Sequence, residues 1–148
     1  MKFLPWYSLA LLICASQSLA AECPQVEGTF RWQGEGASTL ISMVQQGCEL
    51  VHLEMDPGEG QLVKRDLIPD GVRRPLERAE GVEATEWSEW SESGIRIHLE
   101  EHYGKKKTTI GTHAEWTVNA EGDLLEDLLI TQDGAAIYRN SAVFRRER

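Results

Sequence analysis

The sequence predicts an all-β protein, an antiparallel meander of about eight strands that forms a closed or partly closed barrel, with a β-sandwich as the alternative. Short apolar runs recur along the chain, and turn-forming residues separate them at intervals typical of short strands. In residues 95–100 and 108–118 every second residue is apolar, which is the period of a strand with one buried face. We expect barrel closure because it removes exposed sheet edges.

The first half of the chain contains five predicted extended segments. Alternation places Phe30 and Trp32 on one face of the first, and Gln46-Gly47 joins the second and third in a hairpin. Pro75 lies in the fifth and favours an edge position or a loop, since proline cannot donate to a sheet ladder. The five segments are residues 27–33, 37–45, 48–55, 61–68 and 72–80.

A second hairpin joins residues 95–100 to residues 108–118 through a turn within 104–107. This register places apolar residues opposite apolar ones and brings opposite charges together, which favours it. It pairs Ile97 with Ala114, Ile95 with Trp116, Arg96 with Glu115, and His98 with His113. Residues 124–131 fit a buried strand and a short helix equally well, and residues 137–146 form the closing strand.

The stretch Trp87-Ser88-Glu89-Trp90-Ser91 matches the WSxWS pattern of cytokine receptors and, in part, of thrombospondin-type repeats. Neither class of module is expected, because no membrane span, second domain or set of cysteines accompanies the motif. We interpret it as a strand edge or turn that ends at Gly94. In a strand Trp87 and Trp90 point to opposite faces, so one of them is expected to be partly exposed.

Residues 1–20 have the features of a secretory signal peptide, and residues 21–148 form a single predicted domain. Lys2 precedes an apolar stretch that is too short to span a bilayer, and small residues precede the predicted cleavage after Ala20. The protein is therefore expected to be exported, to the periplasm of a bacterium or to the medium, with no membrane span in the mature chain. Retention of the signal as an anchor remains the alternative.

Removal of the signal leaves two cysteines, Cys23 and Cys48. In an oxidising compartment we expect them to form one disulfide, which closes a loop of about 25 residues. The formal net charge of −9 makes a nucleic-acid partner a poor candidate, since an acidic surface repels phosphates.

Two further segments carry a family resemblance. Gly28-Thr29-Phe30-Arg31-Trp32 resembles the glycine-x-aromatic opening of lipocalin-like (calycin-type) barrels, although Phe30 stands where those barrels carry tryptophan. Arg145 or Arg146, after Val143-Phe144, resembles the cation that packs across that aromatic ring in the family. The resemblance implies a small exported domain of lipocalin-like architecture in residues 21–148.

Candidate site residues fall into two groups. Trp32 and Trp116 belong to the predicted inward face, where they either bind a small apolar ligand or pack as core. His98 and His113 lie opposite each other on the polar face and are the candidate ligands if a zinc or copper ion binds, with Glu100 or Glu115 as a third. We predict no metal, no cofactor and no catalytic residue, because the sequence contains no nucleophile elbow or phosphate loop.

The function expected first is that of a non-catalytic protein that binds a small apolar or amphiphilic molecule in the barrel interior. The alternative is an interaction or inhibitor module that binds an envelope protein through its acidic surface and Trp90. A metal-dependent enzyme ranks last. The sequence leaves the ligand, the partner, the oligomeric state and the presence of a cavity open.

Overall fold

A computed structural model describes residues 22–34, 37–58 and 60–148 of the chain. The predicted signal peptide, residues 1–20, lies outside the described residues. The described part contains ten strands and no helix: β1 (Gly28–Gly34), β2 (Ala37–Gln46), β3 (Leu50–Asp56), β4 (Val63–Leu67), β5 (Arg74–Leu76), β6 (Val82–Trp90), β7 (Gly94–Tyr103), β8 (Thr108–Val118), β9 (Leu124–Gln132) and β10 (Ala135–Arg146).

All ten strands belong to one antiparallel sheet that curls into a half-barrel, in the order β4-β3-β2-β1-β10-β9-β8-β7-β6-β5. We call β1–β4 the first wing and β5–β10 the second wing. The wings meet where β1 pairs with β10, and β4 and β5 are the two outermost strands. The all-β antiparallel fold with partial closure is therefore confirmed. No helix in the described part of the chain is long and apolar enough to cross a bilayer.

The described part has ten strands where about eight were expected, chiefly because the WSxWS stretch, interpreted as a strand edge or turn, belongs to the full-length strand β6. β6 pairs with β7 along its whole length, from Val82 opposite Tyr103 to Trp90 opposite Ile95. Its inward face carries Glu86 and Ser88 between apolar residues, which hides the alternation that marks a strand. As predicted, Trp87 and Trp90 point to opposite faces.

The predicted register of the second hairpin is confirmed at each position. Ile97 lies opposite Ala114, Arg96 opposite Glu115 and His98 opposite His113. Residues 124–131, for which strand and helix both fitted, form strand β9 between β8 and β10. The three-residue strand β5 contains Pro75 and lies at the edge of the sheet, as a proline requires.

The core lies on the inward face, and its largest fully buried side chains include Phe30, Ile41, Met43 and Ile95. The guanidinium carbon of Arg146 lies 4.8 Å from the centroid of the Phe30 ring, so the predicted cation–aromatic contact is confirmed for Arg146. Gly28, whose φ is +153°, lies against both groups. A side chain at this position would occupy the space of the Arg146 guanidinium and the Phe30 ring.

Asp123 organises the backbone next to this contact. Its carboxylate accepts a hydrogen bond from the backbone N–H of Arg146 at 3.0 Å and forms an ion pair with Arg145. The backbone hydrogen bond of Arg146, followed by the side-chain hydrogen bond of Arg145, lowers the pKa of Asp123. The carboxylate is therefore charged at neutral pH and holds the end of β10 in place.

The predicted disulfide joins Cys23 to Cys48 across 25 residues, with their Cα atoms 5.5 Å apart. It ties the segment before β1 to the turn between β2 and β3. The indole N–H of Trp90 donates to the backbone carbonyl of Cys48 at 2.8 Å, so the second wing also contacts this turn. The disulfide itself lies within the first wing and its N-terminal extension.

We predict that replacing both cysteines, Cys23→Ser with Cys48→Ser, lowers the free energy of unfolding by about 3–4 kcal/mol, because the unfolded chain regains the freedom of a closed loop. Urea denaturation followed by tryptophan fluorescence measures this change. Wild-type protein in excess reductant is the matched control and should unfold at the midpoint of the variant. An unchanged midpoint would show that the disulfide contributes no stability.

Candidate functional site

Two of the concave sites formed by the described residues lie on opposite faces of the curled sheet. The inner cavity, about 280 Å³ in volume, lies between the two wings on the inward face. The outer groove, about 580 Å³ in volume, lies across β6–β10 on the outward face. Because side chains alternate along each strand, the register decides which residues of β7–β9 reach each site.

Apolar side chains from both wings line most of the inner cavity. Trp116 is 4% exposed and forms part of its wall, and its indole N–H donates to the carboxylate of Glu126 at 2.7 Å. Thr112 and Arg65 are the other polar side chains of the lining. The apolar lining consists of Leu53, Met55, Val63, Ile97, Leu99, Ala114, Trp116 and Leu128.

A salt bridge joins the two edges of the half-barrel beside this cavity. Arg65 of β4 pairs with Glu86 of β6, although these two strands are not neighbours in the sheet. Burial, with a smaller contribution from the charge of Arg78, lowers the pKa of Arg65. In the same region, Asp70 and Glu89 are paired through their backbones in an isolated antiparallel β-bridge.

Asp70 also anchors the connection that follows β4. Its carboxylate accepts two hydrogen bonds from the guanidinium of Arg74, at 2.6 and 3.0 Å, and one from the backbone N–H of Val72 at 2.9 Å. The Arg74 hydrogen bonds, followed by that of Val72, lower the pKa of Asp70 to about 2. The segment between the two edge strands is thus held by a carboxylate that is charged at neutral pH.

The structure separates the two tryptophans that were predicted as ligand-binding residues. Trp116 lines the inner cavity, whereas Trp32 is half-buried on β1, packs against the core and is not part of the cavity lining. The ring of Trp32 lies beside Gly34, in the space that a side chain at that glycine would need. Trp32 therefore has a packing role in this structure, and the ligand-binding role of Trp116 stays a prediction.

The predicted histidine pair forms part of the outer groove. The Nδ1 atoms of His98 and His113 lie 2.8 Å apart, so that one imidazole donates a hydrogen bond to the other. Gly111 makes room for this arrangement, because a side chain there would come within 2.7 Å of His113 Nε2. His98 Nε2 is buried without a hydrogen-bond partner, and the nearest carboxylate oxygen, from Glu89, lies 3.6 Å away.

A ring stack extends from the histidine pair toward β5. Trp87 stacks on His98 with a centroid separation of 4.7 Å and an angle of 13° between the ring planes. The guanidinium carbon of Arg73 lies 3.8 Å from the centroid of the Trp87 ring. The Nη1 of the same guanidinium donates a hydrogen bond to the Glu100 carboxylate at 2.7 Å. Arg73, Trp87 and His98 therefore form one continuous stack.

The surroundings of His98 favour its neutral form. Burial lowers the pKa of His98, and the charge of the neighbouring His113 lowers it further, while Glu89 acts in the opposite direction. A neutral imidazole can bind a transition metal, so protonation is no obstacle to a metal at neutral pH.

The two carboxylates expected as a third metal ligand are paired with arginine side chains. Glu100 bonds to Arg73, and Glu115 forms a salt bridge with Arg96 at 3.3 Å. In the described part of the chain, no group of three or more histidine, cysteine, aspartate or glutamate side chains is arranged to hold a metal ion. We therefore derive no metal chemistry from the histidine pair.

Several residues of these sites were missed by the sequence analysis. Trp90, a contact residue of the alternative function, packs against the core and donates a hydrogen bond to Cys48, whereas Trp87 faces outward. The Arg65–Glu86 pair was missed because its members are distant in sequence and meet only where the sheet curls. Glu126 could have been found from the pairing of Trp116 with β9, once residues 124–131 were taken as strand.

The comparisons with known proteins find likeness among solved structures. No protein-family model and no curated protein matches the chain. The chain is similar to the crystal structure of secretory abundant heat soluble protein 4 from Ramazzottius varieornatus, with 16% identity over 76% of this chain and 71% of that chain and a TM-score of 0.47. At this identity and TM-score the likeness carries no argument about function, and the lipocalin-like resemblance stays a prediction.

The lowered pKa of His98 predicts a pH-dependent stability. Below the ordinary histidine pKa of about 6.5 the unfolded state binds the proton more tightly than the folded state. The free energy of unfolding should therefore fall as the pH is lowered through about 6.5 toward the folded-state pKa, and this contribution should be constant above about pH 7.5. The variant His98→Gln should lack this fall in the free energy of unfolding.

Urea denaturation at pH 7.5 and at pH 5.0 measures the effect for each protein. His102→Gln is the matched control, because His102 is exposed on the same strand and should leave the difference between the two pH values unchanged. An equal pH dependence in wild type and His98→Gln would contradict the assignment. Carboxylates contribute equally to both proteins and cancel in the comparison.

Proposed function

We propose that this chain is an exported, non-catalytic binding protein that holds a small apolar or amphiphilic molecule in the inner cavity. The observation that carries the proposal is the cavity itself, about 280 Å³ in volume and lined mainly by apolar side chains from both wings. Ligand pockets are typically concave and apolar with a few polar groups that orient the ligand. The disulfide is consistent with export, since disulfides persist in oxidising compartments.

The size and lining of the cavity suit a compact ligand. Its volume lies just below the range of about 300–1,000 Å³ usual for drug-sized ligands, so a smaller molecule fits best. Ala114 and Thr112 on β8 leave space at the centre of the inward face, where larger side chains would have filled it. Each buried methylene of such a ligand contributes about 0.8 kcal/mol to binding.

The charged residues of the cavity support an amphiphilic rather than a highly charged ligand. Glu126 is hydrogen-bonded by Trp116, and Arg65 is paired with Glu86, so each already has a partner of the protein. A ligand with a large formal charge would have to break one of these pairs and leave a partly buried charge uncompensated. A neutral or weakly polar head group can form a hydrogen bond with the Thr112 hydroxyl or the Glu126 carboxylate and leave both pairs intact.

Access to the cavity is expected near β4. Val63 lines the cavity and is 43% exposed, so this part of the wall is in contact with solvent. β4 is also an outermost strand, and displacement of an outermost strand breaks the ladder on one side alone. A ligand can therefore enter beside β4 while the pairing of the second wing stays intact.

Binding of N-phenyl-1-naphthylamine, a neutral apolar probe, tests the proposal. We expect saturable binding of one probe per chain, with energy transfer from Trp116, and an affinity at least about tenfold weaker in Ala114→Phe, because the added ring fills the cavity. Ala120→Phe in the exposed turn after β8 is the matched control and should bind as wild type. Circular dichroism verifies that each variant is folded.

Equal affinity of wild type and Ala114→Phe for the probe, or the absence of saturable binding, would contradict the proposal. Should Ala114→Phe fail to fold, Thr112→Leu adds apolar volume to the same cavity at a smaller steric cost and is judged by the same criterion.

A further inference from the structure

We propose that the free edge of β10 pairs with β10 of a second copy of this chain, so that one continuous antiparallel sheet crosses a two-fold dimer. β10 pairs with β9 from Ala135 to Phe144, but with β1 at two residues near its end, Arg145 and Arg146. Along residues 135–144 the opposite edge of β10 therefore has no strand beside it in the described part of the chain.

The exposure of β10 agrees with an edge that lacks a partner. Residues 135–141 and Val143 are all exposed. The strand includes three of the large apolar residues with high exposure: Ile137 at 56%, Tyr138 at 50% and Val143 at 44%. Unpaired backbone N–H and C=O groups beside apolar side chains form a template for another strand.

The two outermost strands of the sheet have features that prevent pairing with a strand of another molecule, whereas β10 lacks these features. β4 has five residues and carries the charged run Lys64-Arg65-Asp66, and β5 has three residues and contains Pro75. Short length, charge and proline are the features that prevent edge-to-edge pairing. In β10, residues 135–144 carry one charged side chain and no proline, and the irregularity near Ile137 leaves the strand regular from Tyr138 onward.

The sequence of this edge is complementary to itself. A two-fold axis at Asn140 places Tyr138 opposite Ala142 of the second copy, which brings apolar side chains together in the regular part of the strand. The same axis places Arg139 opposite Ser141 of the second copy, and Ser141 is hydrogen-bonded to Asp127 of its own chain.

Charge also favours a second copy of this chain as the partner. The side chain of Arg139 has no hydrogen-bond or ion-pair partner within the described residues, and the pairing brings it toward the Asp127 carboxylate of the other chain. Two copies of this ion pair form, one on each side of the axis. A strand of unrelated sequence offers neither this charge pair nor the Tyr138–Ala142 match.

Sedimentation velocity of the disulfide-bonded protein between about 1 and 200 µM tests the inference. We expect a reversible monomer–dimer equilibrium, and a dimer dissociation constant raised at least about tenfold by Val143→Lys, since a lysine at an edge opposes strand pairing. Val44→Lys is the matched control, because Val44 is 54% exposed but lies on β2, which is paired on both sides. It should leave the dissociation constant unchanged.

A protein that is monomeric throughout this concentration range would overturn the inference, as would an equal effect of the two lysine variants. If Val143→Lys does not fold, Arg139→Glu replaces it, because reversing this charge places two carboxylates together on each side of the axis. Binding of N-phenyl-1-naphthylamine to Val143→Lys should equal that of wild type, so the dimer and the proposed ligand site can fail independently.

Discussion

The contact of Arg146 with Phe30 joins the two wings, and the rest of the half-barrel depends on it. The guanidinium lies 4.8 Å from the centroid of the Phe30 ring and donates to the carbonyls of Gly122 and Glu27, at 2.8 and 3.0 Å. Asp123 holds the same end of β10 through the backbone of Arg146. β1 and β10 share two residue pairs, which is a short ladder. These side-chain contacts therefore contribute much of the stability that a longer ladder of backbone hydrogen bonds would have given the junction. The angle between the wings, and with it the inner cavity, is set here.

The polar residues on the inward face explain why the half-barrel is not filled by its own side chains. Glu86, Thr112 and Glu126 occupy inward positions that a fully packed core would give to larger apolar residues. Each acidic residue has a partner, Arg65 for Glu86 and Trp116 for Glu126, so the cost of removing it from water is partly offset. The outward face differs, since the outer groove is rimmed by charged side chains and by the His98–His113 pair.

Local sequence patterns predicted the pairing of strands that are neighbours in sequence. They did not predict the sites that are formed by strands distant in sequence. The register of β7 with β8 followed from alternation in both strands, and the disulfide followed from there being two cysteines after the predicted signal peptide. The Phe30–Arg146 contact came from a family resemblance rather than from periodicity. β6 was missed because Glu86 and Ser88 interrupt its apolar face. The cavity depends on where the sheet stops pairing, which no short stretch of sequence encodes.

The order of the strands also determines which pairings carry the largest cost in loop-closure entropy during folding. Within each wing every pairing joins strands that are consecutive in sequence, so both wings assemble from hairpins with short loops. The pairing of β1 with β10 is the exception, and the Arg31–Glu147 ion pair beside it spans 116 residues. Loop-closure entropy is therefore concentrated at a single junction. The molecule is in this respect two locally folded sheets whose union is the one step of high contact order.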